Sequence, residues 1–361
     1  MTDRTSSPTG SAPLPRSAPL RVSLLSGVRH AADYLRVLGA DPRVELVVVA
    51  EEPDAPGWVR ADSRRVAERA GAGYTEDVPG ALDPTVTDLV VVCSEPTRHA
   101  RLAVQALEAG VDVLVDKPVA TSLADAEAVL AAAARTGRVC AVVNRTHTPA
   151  LRRARGWIDA GHVGLPLHLD LEFFASGAHF ATSVERPQLV VDTALSGGGE
   201  IMNFLGYCAD AAHYLTGLRT REVHAMAGAL FSPAHSDAGV EDTAVVTLGL
   251  ERGVTATVTL GRVPHAPGGT PTTSSVRVLG SHGHAVADDD VPAVSRFDGS
   301  GRATLAADAG QVAVSAYVGH VVDALLTGAQ PDYTVAHARD AMAVIDAAYR
   351  SLATGDVVTL P

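Results

Sequence analysis

The chain has 361 residues, with 41 acidic and 29 basic side chains, so its formal net charge is −12. This acidic excess argues against binding to nucleic acid or to anionic membrane surfaces. The length predicts two domains, and a hydrophobic content of 47% is ample for two buried cores. The sequence shows neither an apolar run of about eighteen residues nor a signal peptide, which predicts a cytoplasmic protein.

The cationic residues are almost all of one type. Arginine supplies 28 of the 29, and Lys117 is the only lysine. An ammonium group differs from a guanidinium in its compact charge and its adjustable pKa, so Lys117 is a candidate for a chemical role. The three cysteines, Cys93, Cys140 and Cys208, lie in apolar runs without paired spacing, which predicts buried free thiols.

Residues 1–20 are rich in Pro, Ser and Thr and predict a mobile tail. Across residues 21–143, short apolar runs alternate with helix-like segments. This βα rhythm predicts an α/β fold with a doubly wound, parallel Rossmann sheet. The predicted strands are Val22–Leu25, Leu46–Ala50, Leu89–Cys93, Val111–Val115 and Val139–Val143, and the predicted helices are His30–Leu38, Ser63–Ala70, Arg98–Ala109 and Leu123–Arg135.

Residues 144–361 have a different pattern. Apolar and polar residues alternate from Leu167 to Phe173 and again from Val254 to Leu260, which is typical of antiparallel strands. A hairpin is predicted at residues 251–253, after the strand Thr243–Leu250. With two amphipathic helices near the C-terminus, at residues 317–326 and 336–352, these strands predict a second, α+β domain built on a mainly antiparallel sheet.

The loop after the first strand departs from the dinucleotide-binding fingerprint Gly-x-Gly-x-x-Gly/Ala, because residues 26–31 read Ser-Gly-Val-Arg-His-Ala. Val28 stands where a side chain would obstruct the approach of a pyrophosphate. Four residues of the loop are nevertheless candidates for cofactor binding: Ser26, Gly27, Arg29 and His30. For the last two, an exposed polar residue is an equal alternative.

Polar residues also follow the other predicted strands, where parallel sheets bind their ligands. Glu51 ends the second strand about twenty residues beyond the loop, at the position of a carboxylate that holds a ribose diol. No arginine follows it directly, which favours NAD over NADP, although Glu51 could equally be a solvated acid. The later loops add six cofactor-binding candidates: Ser94, Glu95, Pro96, His99, Lys117 and Pro118.

Together these motifs resemble the Gfo/Idh/MocA family, which includes glucose-fructose oxidoreductase and inositol dehydrogenase. The resemblance spans nearly the whole chain after the tail. Asp116-Lys117-Pro118 is similar to the family's acid-Lys-Pro motif, and Pro96 and His99 fit the preceding loop. Four further segments resemble family patterns: Asn144-Arg145, Ala154–Gly164, Gly197–Gly199 and Gly280–Gly283.

A helix is predicted after the triple glycine, with Asn203, Tyr207 and Asp210 at positions i, i+4 and i+7 of one face. Family members usually present an Asp and, four residues later, a His at the first two positions. The resemblance therefore implies that Asn203 and Tyr207 belong to the catalytic site. Tyrosine is also characteristic of the glucose-fructose oxidoreductase and dihydrodiol dehydrogenase relatives, whereas Asn203 departs from the pattern.

The resemblance implies that Lys117, Tyr207 and Asn203 form the catalytic set. An ammonium next to Tyr207 would lower its pKa from about 10 and make a phenolate base available. Asn144 and Arg145 join the same three residues as substrate-binding candidates. The alternative for Tyr207 is a packing residue. No metal site is expected, because His282 and His284 lack a third ligand at a recognisable spacing, and residues 288–290 are expected to form a solvated acidic loop.

The leading hypothesis is an NAD(P)-dependent oxidoreductase that transfers hydride to or from a hydroxyl or carbonyl carbon of a sugar, cyclitol or related polyol. NAD is favoured, and a homo-oligomer, a dimer or a tetramer, is expected through the C-terminal sheet. A first alternative is a family member that binds its cofactor tightly or has lost it, and that catalyses an isomerisation, elimination or cyclisation by acid–base chemistry. A second alternative is a non-catalytic binding protein.

Overall fold

The computed structural model describes residues 15–176, 186–263, 272–288, 293–306 and 312–361. The N-terminal part is built on a parallel sheet of six strands in the order β3-β2-β1-β4-β5-β6. Every residue of β4 and β5 is buried, because helices cover both faces of the sheet. The strands are β1 (Leu20–Leu25), β2 (Val44–Ala50), β3 (Gly73–Thr75), β4 (Leu89–Val92), β5 (Asp112–Val115) and β6 (Cys140–Val142).

The helices of this part are α1 (Ala31–Gly39), α2 (Gly57–Ala70), α3 (Val78–Ala81), α4 (Pro96–Glu108) and α5 (Leu123–Thr136). The predicted Rossmann architecture is confirmed. Helix α2 begins six residues before its predicted start at Ser63. Strand β3 was not predicted, because its three residues contain no apolar run.

The predicted tail is too long at its C-terminal end. Leu20 is the first residue of β1 and is fully buried. Arg16 lies against the fold as well, because its guanidinium forms an ion pair with Asp112 at 2.7 Å and its backbone N–H donates to the carbonyl of Leu325. Composition alone could not reveal these contacts with distant residues. Residues 1–14 of the predicted tail lie outside the described residues.

The C-terminal part is built on a nine-stranded sheet in the order β14-β13-β12-β11-β7-β10-β9-β8-β15. Its neighbouring strands are antiparallel, as predicted, except that β7 and β10 run parallel. The strands are β7 (Pro166–Ser176), β8 (Thr220–Gly228), β9 (Thr243–Leu250), β10 (Thr255–Val263), β11 (Thr272–Gly280), β12 (Gly283–Asp288), β13 (Ala293–Asp298), β14 (Gly301–Ala306) and β15 (Val358–Thr359).

Two predicted turns of this part have different outcomes. The hairpin between β9 and β10 is present, and Arg252 and Gly253 adopt the positive φ angles of 62° and 76° that the tight turn requires. The prediction of an acidic loop at residues 288–290 is wrong for its first residue, because Asp288 ends β12 and pairs with both neighbouring strands. Residues 289 and 290 lie outside the described residues.

Helix α9 connects the two sheets. Its apolar stripe packs on the C-terminal sheet and on α12, and its first turns reach the carboxyl ends of the parallel strands. In the described ranges, no helix is both long enough and apolar enough to cross a membrane. The helices of this part are α6 (Pro149–Asp159), α7 (Gln188–Val191), α8 (Thr193–Ser196), α9 (Glu200–Thr216), α10 (Pro233–Ala238), α11 (Val312–Thr327) and α12 (Val335–Thr354).

Candidate active site

Lys117 and Asn203 meet where β5 ends and α9 begins. The Nζ atom of Lys117 donates hydrogen bonds to the side-chain Oδ1 of Asn203 at 2.5 Å and to its backbone carbonyl at 2.9 Å. Arg29, from the loop after β1, donates to the same Oδ1 at 3.3 Å. The fold therefore brings residues that are 86 and 174 positions apart in the chain to one amide oxygen.

The orientation of the Asn203 amide follows from its other neighbour. Its Nδ2 atom donates to Oε2 of Glu200 at 2.8 Å, so the amide oxygen must face Lys117 and Arg29. Glu200 is fully buried, and its Oε1 accepts from His235 at 2.9 Å and from the guanidinium of Arg262. Burial opposes ionisation of Glu200, but Arg262 and the hydrogen bonds outweigh it and lower the pKa of this carboxyl.

Glu200, His235 and Arg262 were not predicted as site residues. Glu200 follows directly after the triple glycine, which was a possible signal. Its partners lie 35 and 62 residues further along the chain, on α10 and β10, and no sequence spacing links them to it. The predicted site therefore lacked the group that orients Asn203.

Asp116 holds the loop that carries Lys117. Its carboxylate is fully buried and accepts from the Tyr34 hydroxyl at 2.6 Å, the His30 ring at 2.8 Å and the backbone N–H of Lys117 at 2.8 Å. Burial opposes its charge, yet His30 and Arg29 lower the pKa of Asp116 far below its usual range. The acid of the Asp-Lys-Pro motif therefore positions the lysine, and the side chain of His30 is part of this support.

The environment of Lys117 changes its protonation. Burial and the nearby positive charge of Arg29 lower its pKa from 10.5 to about 7. Asn203 accepts a hydrogen bond from the amine but carries no charge that would hold the proton there. A pKa near neutrality leaves both the acid and the base form available, as general acid–base catalysis requires.

Tyr207 differs from the prediction in its protonation. The Nζ atom of Lys117 lies 4.9 Å from the centroid of the Tyr207 ring, and the ring also packs on Phe173. Burial raises the pKa of Tyr207 above its ordinary value. The expected lowering by an adjacent ammonium is therefore wrong, because the lysine contacts the ring face and directs its hydrogen bonds to Asn203. Tyr207 is arranged to donate a proton or a hydrogen bond, not to act as a phenolate base.

The two residues of the predicted Asn-Arg pair have different surroundings. Asn144 is fully buried; its Oδ1 accepts from the N–H and the hydroxyl of Thr146, and its amide donates to the carbonyl of Val142. It shapes a turn with its polar atoms, and its contact with substrate stays a prediction. Arg145 lies over the rings of Phe173 and Tyr207, at 5.2 and 5.7 Å, and lines a cavity of about 440 Å³ with them.

A second cavity, of about 400 Å³, is also lined by Tyr207, together with Lys117, Asn203 and Asp210. The hydroxyl of Tyr333 donates to Oδ1 of Asp210 at 2.7 Å. Burial raises the pKa of Asp210 to about 8, so this carboxyl is protonated in the folded protein at neutral pH.

The loop after β1 uses its own polar groups internally. The backbone N–H groups of Ser26, Gly27 and Val28 donate to the Ala50 carbonyl, the Ser63 hydroxyl and the Cys93 carbonyl. Ser26 and Arg29 have φ angles of +69° and +52°, an uncommon conformation for residues with side chains. These engaged N–H groups do not form a cradle for a pyrophosphate.

Glu51 is engaged as well. Its Oε1 accepts from Arg98 at 2.9 Å and its Oε2 accepts from the Ser63 hydroxyl at 2.9 Å, and only 1% of the side chain is exposed. A ribose diol would need these same oxygens. In the arrangement seen here, the adenosine half of the cleft therefore does not fit a dinucleotide.

The other predicted cofactor residues are arranged around the loops after β4 and β5. The His99 ring lies between the carbonyls of Ser94, at 2.9 Å, and Pro118, at 2.7 Å, and so ties the two loops together. Glu95 binds Arg98, and Pro96 begins α4. A smaller cavity, of about 190 Å³, remains next to Asn203; its lining includes Arg29, Pro96, Pro118, Leu189 and Val190.

One group of metal-ligating residue types occurs within the described ranges. Single ligand atoms of His147, His320 and Asp332 lie within 4.8 Å of one another. The ring of His147 hydrogen-bonds to Asp332 at 2.8 Å, and the backbone N–H of Asp332 donates to His320 at 3.1 Å. These hydrogen bonds already use the atoms that a metal would need. The sequence did not point to this cluster, because its members come from three distant segments.

Comparisons with known proteins agree with this architecture. Residues 26–144 match the model of an oxidoreductase family with an NAD-binding Rossmann fold, and residues 151–286 match the model of the GFO/IDH/MocA C-terminal domain. GenD2 from gentamicin A biosynthesis, solved in complex with NAD, superposes with a TM-score of 0.77 at 27% identity and covers 99% of each chain.

Two curated relatives come from Bacillus subtilis. An uncharacterized oxidoreductase, YrbE, is 30% identical over 219 residues, 60% of each chain. The scyllo-inositol 2-dehydrogenase (NAD(+)) is 25% identical over 238 residues, 65% of this chain and 64% of its own. The chain thus spans somewhat less than two thirds of the length of these relatives.

The only lysine permits a direct test of the site's electrostatics. In protein labelled with ¹³C at the lysine ε-carbon, the single NMR resonance should titrate with a midpoint of about 7 in the folded state. In urea the same resonance should titrate with a midpoint of about 10.4, as an ordinary lysine does. The Asn203→Asp variant should raise the folded midpoint by roughly one unit or more, because a carboxylate favours the ammonium. A wild-type midpoint above about 9 would refute this account.

Asp210 should make folding stability depend on pH. Its pKa is raised in the folded state, so its favourable contribution is present at low pH and is lost as the pH rises from about 4 through about 8. Asp210→Asn should remove up to about 1.4 kcal/mol per pH unit of this slope, measured by urea unfolding. Asp159→Asn, at an exposed acid, is the control. Equal slopes in wild type and Asp210→Asn would contradict the assignment.

Proposed function

Because the chain belongs to the Gfo/Idh/MocA oxidoreductase family, we propose that it acts on a hydroxyl or carbonyl carbon of a sugar, cyclitol or related polyol, with NAD as the hydride partner. The observation that carries the proposal is the hydrogen-bonded contact between Lys117 and Asn203 at the carboxyl ends of the parallel strands, beside Tyr207. The names of the curated relatives support a polyol substrate: they include scyllo-inositol and myo-inositol 2-dehydrogenases.

The residues of the site handle the proton that accompanies such a reaction. The neutral amine of Lys117 accepts the proton of the substrate hydroxyl, and the ammonium returns it in the reverse direction. Asn203 fixes the amine, and the hydroxyl of Tyr207, which keeps its proton, can donate to a second substrate oxygen. Arg145 provides a cation at the cavity that it lines together with Tyr207 and Phe173. NAD supplies or accepts the hydride when it is bound.

The redox part of the proposal requires the adenosine half of the cleft to open. Glu51, at the position of a carboxylate that holds a ribose diol, supports NAD over NADP.

A second candidate function follows from the closed cleft. If the chain does not take up NAD, the same lysine can abstract a proton next to a carbonyl and catalyse an isomerisation, elimination or cyclisation. The two functions differ in a simple observable. A non-redox enzyme would catalyse exchange of a carbon-bound hydrogen with D₂O, or convert its substrate, without added nicotinamide.

The proposal is tested by NAD-linked turnover on a panel of cyclitols, aldoses and sugar alcohols. On the best substrate, Lys117→Met should lower kcat by roughly 10²–10⁴-fold, because the proton acceptor is lost. Tyr207→Phe should lower it less, since one hydrogen-bond donor is removed. Tyr214→Phe, on the same helix but outside the site, should keep wild-type turnover. Undiminished turnover in Lys117→Met would rule out this mechanism.

We also propose that the chain self-associates through the open face of its C-terminal sheet, as a dimer or a tetramer. Met226 on β8 and Val245 on β9 are directly paired across the strands and are 68% and 43% exposed. Leu230 and Phe231 extend this apolar surface at the end of β8 and are 70% and 51% exposed. A second copy of the chain would bury these side chains.

Light scattering coupled to size exclusion tests the assembly. The wild-type protein should elute with the mass of a dimer or tetramer, and Met226→Glu with Val245→Glu should reduce it to the monomer, because two charges would be buried at the contact. Leu305→Glu, on β14 at the opposite edge of the sheet, should leave the mass unchanged. An unchanged mass in the double variant would place the interface elsewhere.

A location in the cytoplasm is also part of the proposal and is supported by the three free, buried cysteines.

A further inference from the structure

Arg98, in the first turn of α4, lies among the carboxylates at the adenosine half of the cleft. Its Nη1 donates to Glu51 at 2.9 Å and to Glu52 at 2.8 Å. Its Nε and Nη2 each donate to Glu95 at 2.7 Å, and Nη2 also donates to the Ser26 hydroxyl at 3.4 Å. A guanidinium has five N–H donors, so these contacts account for all of them.

The bridge from Arg98 joins the loops that a dinucleotide would separate. Glu51 and Glu52 directly follow β2, Ser26 belongs to the loop after β1, and Glu95 precedes α4. The guanidinium is only 15% exposed, and Glu51 and Glu95 are buried. Burial opposes the charge of Arg98, but Glu95 and Glu51 more than offset this and raise its pKa. The ion pairs are therefore more strongly coupled than exposed ones.

Two further contacts close the same region from the side of α2. The side chain of Val28, at the position where the fingerprint requires glycine, is buried against Ala55, just before α2, and against Trp58 and Val59 in the first turn of that helix. Arg186 lies over the Trp58 ring at 4.6 Å and pairs with Asp62 of α2 at 2.8 Å. Arg186, just before α7, thus lies against α2.

Arg98 and a ribose diol would compete for the same acceptors. A ribose would donate its hydroxyls to Glu51, but one oxygen of that carboxylate already binds the guanidinium. A ligand that displaces Arg98 must also break its bonds to Glu52 and Glu95. Glu52 would keep its two bonds to Arg101, but Glu95 is buried, and its charge would be left uncompensated, which is costly.

We propose that Arg98 is an internal ligand of Glu51 that closes the adenosine half of the cleft and limits the affinity of the protein for NAD. The inference rests on the proposed function only in taking NAD as the ligand. It assigns to Arg98 the control of cofactor uptake and leaves proton transfer to Lys117.

The test removes the cation together with one of its carboxylates. The double variant Glu95→Gln with Arg98→Leu keeps the net charge and leaves Glu51 for the ribose. Calorimetric titration should show that ADP-ribose and NAD bind this variant at least about tenfold more tightly than wild type. Nicotinamide mononucleotide, which lacks the adenosine half, should bind both proteins equally. The matched control is Glu108→Gln with Arg135→Leu, an exposed ion pair that also starts on α4.

The outcomes separate Arg98 from the rest of the proposed function. Equal affinity of wild type and the double variant for ADP-ribose would overturn the role of Arg98, and so would no binding to a variant that circular dichroism shows to be folded. Arg98→Lys provides a second route if the double variant does not fold. A lysine cannot span all three carboxylates, so the affinity of Arg98→Lys for ADP-ribose should lie between that of wild type and that of the double variant. An affinity of Arg98→Lys equal to that of wild type would overturn the proposal. NAD-linked turnover bears on the proposed function alone.

Discussion

The candidate site depends on how one amide is held. Because Glu200 accepts the Asn203 N–H, the amide oxygen faces two cationic side chains, Lys117 and Arg29, without neutralising either. A carboxylate at this position would keep the lysine charged, whereas a neutral oxygen orients the amine and leaves its protonation to burial and to Arg29. Glu200 therefore orients the amide that holds the lysine, while burial and Arg29 set the pKa of the lysine.

The two halves of the nucleotide cleft differ in whether space and polar groups remain for a ligand. At the catalytic half, cavities remain beside Asn203 and Tyr207, and polar groups point into the space between the domains. At the adenosine half, hydrogen-bond donors and acceptors are paired with one another and apolar side chains fill the remaining space. The catalytic half of the cleft is therefore open to a substrate, whereas the residues that would bind the adenosine of NAD are hydrogen-bonded to one another.

The fold could be predicted well because the sequence patterns that specify strands and helices each lie within a short segment of the chain. Apolar runs that alternate with helical segments specify a parallel sheet, and the order of the motifs along the chain resembled a known family. The partners of the site residues were harder to predict, since Glu200 needs Arg262 and His235 from distant elements. The protonation of Tyr207 was misjudged for a related reason: burial raises its pKa and the lysine directs its hydrogen bonds to Asn203, and no spacing encodes that geometry.

The arginine bias of the chain limits which side chains can exchange protons near neutral pH. Guanidinium groups stay charged at every pH at which the protein is folded, and burial raises the pKa of Cys93, Cys140 and Cys208. Buried tyrosines are shifted upward as well. Lys117 and Asp210, with pKa values of about 7 and about 8, titrate between the ordinary pKa of histidine and that of tyrosine. The cavity of about 400 Å³ beside Tyr207, which both of these side chains line, therefore exchanges protons with solution at neutral to mildly alkaline pH.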